Sequence, residues 1–256
     1  MIDATAIVAP DACLAPDVEV GPYTVIGSRV TIGPRTWIGP HAVINGETRI
    51  GADNKIYQFA SIGAAPQDKK YEGGLTRLVI GDRNVFREFC TINRGATLEH
   101  GLTSIGNDNL FMAYSHVAHD CIIGDHVIMV NYAGIAGHVE IGDWAILSGY
   151  TGVHQFVKIG AHAFTAALTG VSQDIPPYVM ATGYPAEPRG INVEGLKRRG
   201  FNGEQIRNLR NAYKILYRSD LPLTEAVARL SELATTQPEL RILIEFIAAS
   251  ERRLAR

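Results

Sequence analysis

The stretch VGPYTVIGSRVTIGPRTWIGPHAVINGETRIGADNKIYQFASI, Val20 to Ile62, decides the fold. Val20, Ile26, Ile32, Ile38, Ile44, Ile50, Ile56 and Ile62 follow one another at intervals of six. Glycine comes directly after the aliphatic at Gly21, Gly27, Gly33, Gly39, Gly51 and Gly63. A small or β-branched residue stands four places after it, at Thr24, Val30, Thr36, Ala42, Thr48 and Ala60. An α-helix turns every 3.6 residues and cannot bury every sixth residue on one face. A six-residue aliphatic repeat is the signature of a parallel β-helix.

Outward from this window the phase runs back through Leu14, Val8 and Ile2. Forward it resumes at Ile80, Phe86 and Ile92. It then slips by one residue and continues through Ile105, Phe111, Val117, Ile123, Met129, Ile135, Ile141, Leu147, Val153, Ile159, Thr165 and Val171. Each hexad is expected to supply one short strand with one inward aliphatic. Three hexads close a triangular coil, so residues 18 apart stack at about 4.8 Å. The glycine after each aliphatic suits a corner, where φ can turn positive and backbones come close.

Two places break the repeat. Gly63 to Val79 carries the polar, glycine-rich run Ala65-Pro66-Gln67-Asp68-Lys69-Lys70-Tyr71-Glu72-Gly73-Gly74 and replaces two hexads without changing the phase. It reads as a loop thrown out from the coil, the kind of segment that carries function on a rigid scaffold. Asn93 to Ser104, with Arg94-Gly95 and His100-Gly101, adds one residue to the register and reads as a smaller excursion or bulge.

After Val171 the pattern stops. Pro176, Pro177, Pro185 and Pro188 mark an extended connector, because the residue before a proline avoids the helical region. Helical signals follow: a short helix over Glu194 to Arg199, one capped by Asn202 and running to about Arg218, one capped by Thr224, and a last one after Pro238. The chain therefore divides into a β-helix over 1–190, with its excursion loop near 63–79, and a C-terminal helical domain over 191–256. The helices are expected to cover the solenoid's open end, which would otherwise pair with other chains.

The 256 residues are 46% hydrophobic and 20% charged, with a net charge of -2, so no global field favours nucleic acid or a membrane. Locally, Arg189, Lys197, Arg198, Arg199, Arg207, Arg210, Lys214 and Arg218 face only Glu187, Glu194 and Glu204 between 187 and 218. A basic window in a slightly acidic chain calls for an anionic partner. Cys13, Cys90 and Cys121 are odd in number and form no CxxC, which suits a reducing compartment. The N-terminus lacks a basic region followed by an apolar run, and no apolar run is long enough to span a bilayer. The expectation is a cytoplasmic protein with no stable membrane insertion.

The densest polar stretch in the solenoid is Ala113-Tyr114-Ser115-His116-Val117-Ala118-His119-Asp120-Cys121. Counting by 18 stacks His119 over Gly137 and Gly137 over Gln155, with His138 and His154 beside that line and His116 just before it. This is the set that acyl transfer needs. A neutral imidazole takes a proton from an attacking hydroxyl, a glycine N–H binds the developing oxyanion, and a carboxylate such as Asp120 orients the ring. Isolated histidines such as His41, His126 and His162 read as structural side chains. Zinc binds histidine clusters well, but no acidic ligand pattern accompanies His119 and His138, so no metal is assigned.

These motifs resemble those of the UDP-N-acetylglucosamine O-acyltransferases, which open lipid A biosynthesis. The matching pieces are Asn54 to Gly63, Gln67-Asp68, Lys70-Tyr71, Ile80-Gly81-Asp82, His116 to Cys121, Ala136 to Val139, Val153-His154-Gln155-Phe156, Asn192 to Phe201 and Arg210 to Lys214. The resemblance implies a left-handed parallel β-helix and a homotrimer with active sites in clefts between subunits. It implies transfer of a 3-hydroxyacyl group to the 3-hydroxyl of UDP-N-acetylglucosamine. The donor would be the 4'-phosphopantetheine thioester of acyl carrier protein, and no cofactor would be bound. By motif, His119 would be the base, Asp120 its orienter and Gly137 the oxyanion donor. Asp68 and Lys70 would contact the sugar. His116, His138, His154 and Gln155 would line the pocket. Asn192, Glu194, Arg198 and Arg199 would hold the uridine diphosphate end from a neighbouring subunit.

The chain departs from the pattern at Asn93, where the family usually carries His, and at Lys69, where an apolar residue is common. Ala167 falls where acyl length is set. Two other activities stay open: acylation of the 3-amino analogue of the nucleotide sugar, and a γ-carbonic-anhydrase-like metalloenzyme. The sister enzyme of the pathway, an N-acyltransferase, carries an extra domain ahead of its solenoid, whereas here hexads begin at Ile2.

Overall fold

The computed structural model describes residues 1–97 and 101–256, so His100, placed by the sequence in the second excursion, lies outside the described residues. The described strands form three sheets of nine, eight and ten strands, and successive strands go to successive sheets as far as Gly170–Val171. The chain thus winds around a triangular prism as a left-handed parallel β-helix. Most strands are two residues long, such as Val25–Ile26 and Val43–Ile44. Ile7 pairs with Val25 and Val25 with Val43, the expected interval of 18. Only the last pair, Val179–Thr182 with Glu187–Ile191, runs antiparallel.

From Val18 onward the hexads bury two positions rather than one. Ile26, Ile32, Ile38 and Ile44 are buried, and so are Thr24, Val30, Thr36 and Ala42. The second position lies where the chain turns between sheets, and its polar members form hydrogen bonds along the axis. Thr36 Oγ1 accepts from the Asn54 amide. Asn54 Oδ1 accepts from both nitrogens of Asn84. Asn84 Oδ1 accepts from the Asn109 amide, and Asn109 Oδ1 from the Val127 amide. Thr165, the one polar member of the aliphatic series, is fully buried and meets the Thr151 hydroxyl at 2.9 Å.

The corners differ from expectation. The left-handed conformation falls three residues after the aliphatic, at Tyr23 (φ 57°), Arg29 (60°), Arg35 (57°) and His41 (56°), and not at the glycine. Gly21 serves close approach instead: a Cβ there would lie 2.8 Å from the Pro40 nitrogen on the next coil. A left-handed non-glycine residue costs about 1–2 kcal/mol. Stacking offsets it on one edge, where Tyr23, His41, Phe59, Phe89, Tyr114, Tyr132 and Tyr150 form a continuous column with centroids 4.8–5.3 Å apart. Each such contact contributes about 0.5–1.5 kcal/mol. A second edge carries Arg35 on Asp53 and Arg83 on Asp108.

Both excursions leave the sheets intact. Ile62 pairs with Ile92, 30 residues on, so the first holds twelve extra residues. Ile92 pairs with Val117, 25 residues on, so the second holds seven, one hexad more than the single-residue slip suggests.

The C-terminal helices are α1 (Val193–Arg198), α2 (Gly203–Arg218), α3 (Leu223–Ala234) and α4 (Arg241–Ala249). Asn202 caps α2 with a reciprocal Gln205 capping box. Thr224 is not a cap, because α3 starts one residue earlier behind Pro222. Pro238 opens a 3-10 turn that leads into α4. The helices are not the only cover on the solenoid's end: Leu254 bridges Asp174, and Ala255 donates to the Asp174 carbonyl. No helix among the described residues is long and apolar enough to cross a membrane.

The asparagine column yields a stability prediction. Asn84→Ala leaves the buried Asn109 N–H and Gly106 carbonyl without their side-chain partners. Such a loss costs about 1–3 kcal/mol. The melting temperature is expected to fall by several degrees, whereas Ser28→Ala on the exposed surface should leave it unchanged.

Candidate active site

His116 and Val117 form a strand on the first sheet, and the chain leaves it through Ala118 and His119 to turn at Asp120, a left-handed corner residue with φ 57°. His138, one coil on, is the next residue in that corner column, with φ 61°, and Phe156 follows at 64°. The corner geometry therefore presents Asp120 and His138 side by side. His138 stacks on Phe156 at 4.5 Å and meets the His119 ring edge-on at 5.1 Å.

Asp120 is 4% exposed and fully engaged. Its Oδ2 lies 2.8 Å from His119 Nδ1 and accepts the Ala96 amide at 2.9 Å. Its Oδ1 accepts the Leu102 amide at 3.2 Å, and its own amide donates to Thr103 Oγ1. A carboxylate accepts only, so His119 Nδ1 carries the proton and Nε2 is left as the basic atom. Gly137 lies under the ring: a Cβ there would stand 2.7 Å from His119 Cε1 and 2.8 Å from Nε2. Only glycine lets the imidazole rest on that backbone. Among the described residues the Gly137 N–H has no acceptor.

Two cavities meet at His119. One, about 630 Å³, is a largely apolar groove along the first sheet, bordered by His116, Gly137, His154, Gln67 and Asn93. The other, about 410 Å³, lies under the excursion loop and is bordered by Asp68, Lys70, Asp120, His138 and Gln155. His119 belongs to both. His116 Nδ1 is 2.7 Å from Thr91 Oγ1, and burial lowers its pKa. His154 Nδ1 is 3.1 Å from the Gln155 carbonyl.

The excursions supply what counting hexads did not show: Gln67, Asn93 and the amides of Ala96 and Leu102. The ground for setting a metal aside also changes. Ligand-capable atoms of His119, Asp120 and His138 lie within 4.8 Å of one another, so a carboxylate does accompany the histidines. That carboxylate is already held by the His119 imidazole and two amides.

The remaining candidates lie elsewhere on this chain. Asn192 caps α1, accepting from the Gly195 amide, and donates to the His162 carbonyl. Glu194 pairs with Lys197. Arg198 is exposed. Arg199 donates to His162 Nδ1 at 3.1 Å and lies 5.2 Å over Trp144. Ala167 sits on an exposed turn just before the left-handed Leu168 and borders neither cavity. The basic window lines a separate groove of about 640 Å³, where Arg189, Arg210, Lys214 and Arg218 surround Met180 and Ile191.

Comparison with known proteins finds relatives that span the whole chain. Residues 174–255 match the second-domain model of the UDP-N-acetylglucosamine O-acyltransferase family, and residues 102–137 match the six-repeat bacterial transferase hexapeptide model. The chain is similar over its full length to the UDP-N-acetylglucosamine acyltransferase of Francisella novicida, with 44% identity, 94% of that chain covered and a TM-score of 0.98. It is similar to the O-acyltransferase of Moraxella catarrhalis, again over its full length, with 43% identity, 99% coverage and a TM-score of 0.98. The Arabidopsis acyltransferase matches the whole of both chains at 33% identity, with a TM-score of 0.85.

His162 gives a prediction about acid stability. Burial, with the Arg199 guanidinium beside it, lowers its pKa from 6.5 to about 4. The unfolded chain binds more protons between those values, so the stability that neutral His162 contributes is full above about pH 6.5 and is lost as the pH falls toward 4. His162→Phe keeps an aromatic ring between Trp144 and Tyr178. It is expected to flatten the decline of Tm over that range.

Proposed function

The chain belongs to the UDP-N-acetylglucosamine O-acyltransferase family, and on that premise we propose that it transfers a 3-hydroxyacyl group from acyl carrier protein to the 3-hydroxyl of UDP-N-acetylglucosamine, opening lipid A biosynthesis in the cytoplasm. The observation that carries this reading is His119 standing where an apolar groove and a polar cavity meet. A two-substrate transfer needs one base reached from both sides. The acyl thioester enters along the groove, and the sugar enters beneath the loop, where Asp68 and Lys70 contact it. His116, His138, His154 and Gln155 line the two approaches.

His119 Nε2 takes the proton of the 3-hydroxyl as that oxygen attacks the thioester carbonyl. The C–O bond forms, and the carbonyl oxygen becomes an oxyanion received by the Gly137 N–H. As the C–S bond breaks, His119 returns the proton to the departing phosphopantetheine thiolate. Asp120 holds Nδ1–H and stabilises the transient imidazolium without accepting its proton. No bound cofactor takes part. Asn192, Glu194, Arg198 and Arg199 bind the uridine diphosphate end from a neighbouring subunit of a homotrimer, where Arg pairs well with phosphate. The basic groove around Arg210 and Lys214 suits the acidic carrier protein.

The decisive assay offers UDP-N-acetylglucosamine and its 3-amino analogue to a panel of 3-hydroxyacyl carrier proteins. Transfer to the first supports the reading, and transfer to neither sinks it. His119→Ala is expected to lower kcat by about 10²–10⁴-fold with the oligomer intact by sedimentation. Arg198→Ala is expected to raise KM for the nucleotide more than it lowers kcat. Arg198 is the cleaner test, because Arg199→Ala also removes the bond to His162.

A further inference from the structure

The polar cavity beside His119 takes part of its wall from Asp68 and Lys70 of the first excursion. Both stand on one tight turn: Asp68 Oδ1 accepts the Lys70 amide, and the Asp68 carbonyl accepts the Tyr71 amide, each at 3.0 Å. Lys69 and Lys70 are exposed. The phenol of Tyr71 ties this turn to the start of the second excursion, because its Oη accepts from Arg94 Nη2 at 3.3 Å.

The same guanidinium spans the whole first excursion. Nη1 donates to the Gly63 carbonyl at 2.9 Å, where the chain leaves the coil, and Nε donates to Thr76 Oγ1 at 3.2 Å, where it returns. Arginine suits this place because its planar fork holds several donors in fixed directions, which a lysine ammonium on its flexible stem does not. Gly46 leaves room for it: that residue has φ 69°, and a Cβ there would stand 3.0 Å from Arg94 Cδ and Nη1. The Arg94 amide donates to the Ala64 carbonyl and the Gly95 amide to the Arg77 carbonyl, one on each limb of the excursion. On either side, Asn93 Nδ2 holds the Ala65 carbonyl and the Ala96 amide holds Asp120. Arg94 itself borders neither cavity at His119.

We infer that Arg94 is a positioning residue: its guanidinium clasps the root, tip and return of the 63–79 excursion and so seats the turn carrying Asp68 and Lys70 before the acceptor arrives. This rests on the proposed contact of those two side chains with the sugar. An excursion of twelve extra residues gives up backbone freedom when it is seated. Three hydrogen bonds from one cation offset that loss in the free protein, so the sugar meets an ordered wall and need not order it. Without the clasp the loop is seated for only part of the time, and the apparent affinity for the sugar falls by that fraction. A loop seated by the bound sugar presents the same groups to the reacting atoms, so the effect falls on KM and not on kcat.

Limited trypsin digestion of the folded full-length protein reads the clasp, and kinetics read its consequence. Cleavage after Lys69 or Lys70, identified by fragment mass, is expected to run about tenfold faster in Arg94→Gln than in the parent, because the rate tracks the population of the open loop. KM for UDP-N-acetylglucosamine is expected to rise by about the same factor, with kcat and the KM for 3-hydroxyacyl carrier protein within about twofold of the parent. Tyr71→Phe removes one hydroxyl, and with it only the tip of the clasp, and is expected to move both readouts the same way by less. Arg94→Lys keeps the charge without the fork and is expected to behave as Arg94→Gln does. Full recovery in Arg94→Lys overturns the inference, since charge alone would then seat the loop. So does parental cleavage at Lys69 and Lys70 in both Arg94→Gln and Tyr71→Phe, and so does faster cleavage with an unchanged KM; each leaves acyl transfer standing. If Arg94→Gln does not fold, Tyr71→Phe decides by the same two readouts. A parent protein inactive with every donor overturns the proposed function, and with it the link from the clasp to sugar binding.

Discussion

The strands of this chain are two to five residues long, too short to hold together in isolation. They exist because each coil lies on the next at the hydrogen-bonding distance between strands, about 4.8 Å. That spacing dictates the rest. It turns every position of the coil into a column, so a residue is judged by what stands above and below it. Aliphatics stack inside, asparagines pass hydrogen bonds along the axis, and rings stack on one edge. The candidate site follows the same rule. His119 over Gly137 and Asp120 beside His138 are neighbours because the columns make them so.

Legibility in the sequence tracks this rule closely. From Ile105 to Val171 nothing interrupts the hexads, so counting by 18 aligned His119, Gly137 and Gln155 without any coordinates. Across an excursion the count fails. Thr91 meets His116 at an offset of 25, and Ala96 and Leu102 reach Asp120 through backbone amides that leave no mark in the residue types. The left-handed corners were misplaced for another reason. Glycine is the residue expected at positive φ, yet here stacked rings and paired charges hold ordinary residues there.

The basic window shows where composition stops short. Charge counting detects the cluster between Arg189 and Arg218 but not its division of labour. Arg199 is half-buried, with its guanidinium over Trp144 and bonded to His162, and burial lowers its pKa. Arg189, Arg210, Lys214 and Arg218 instead surround a groove with an apolar floor. Like charges thus sit in two surroundings, one guanidinium packed over a ring and four side chains around an apolar floor.

The two excursions differ in length, twelve residues and seven, and that difference does something for folding as well as for the site. A prism of near-identical coils has a translational degeneracy: a strand shifted by one whole coil finds the same aliphatic neighbours and the same hydrogen bonds. Such a shift across residues 62–117 would force an excursion into the space of a regular corner and strip Asp120 of its two amide donors. The excursions work as index marks on an otherwise uniform screw thread. The same segments that hold the Asp120 corner also give the coils above and below it a single registration.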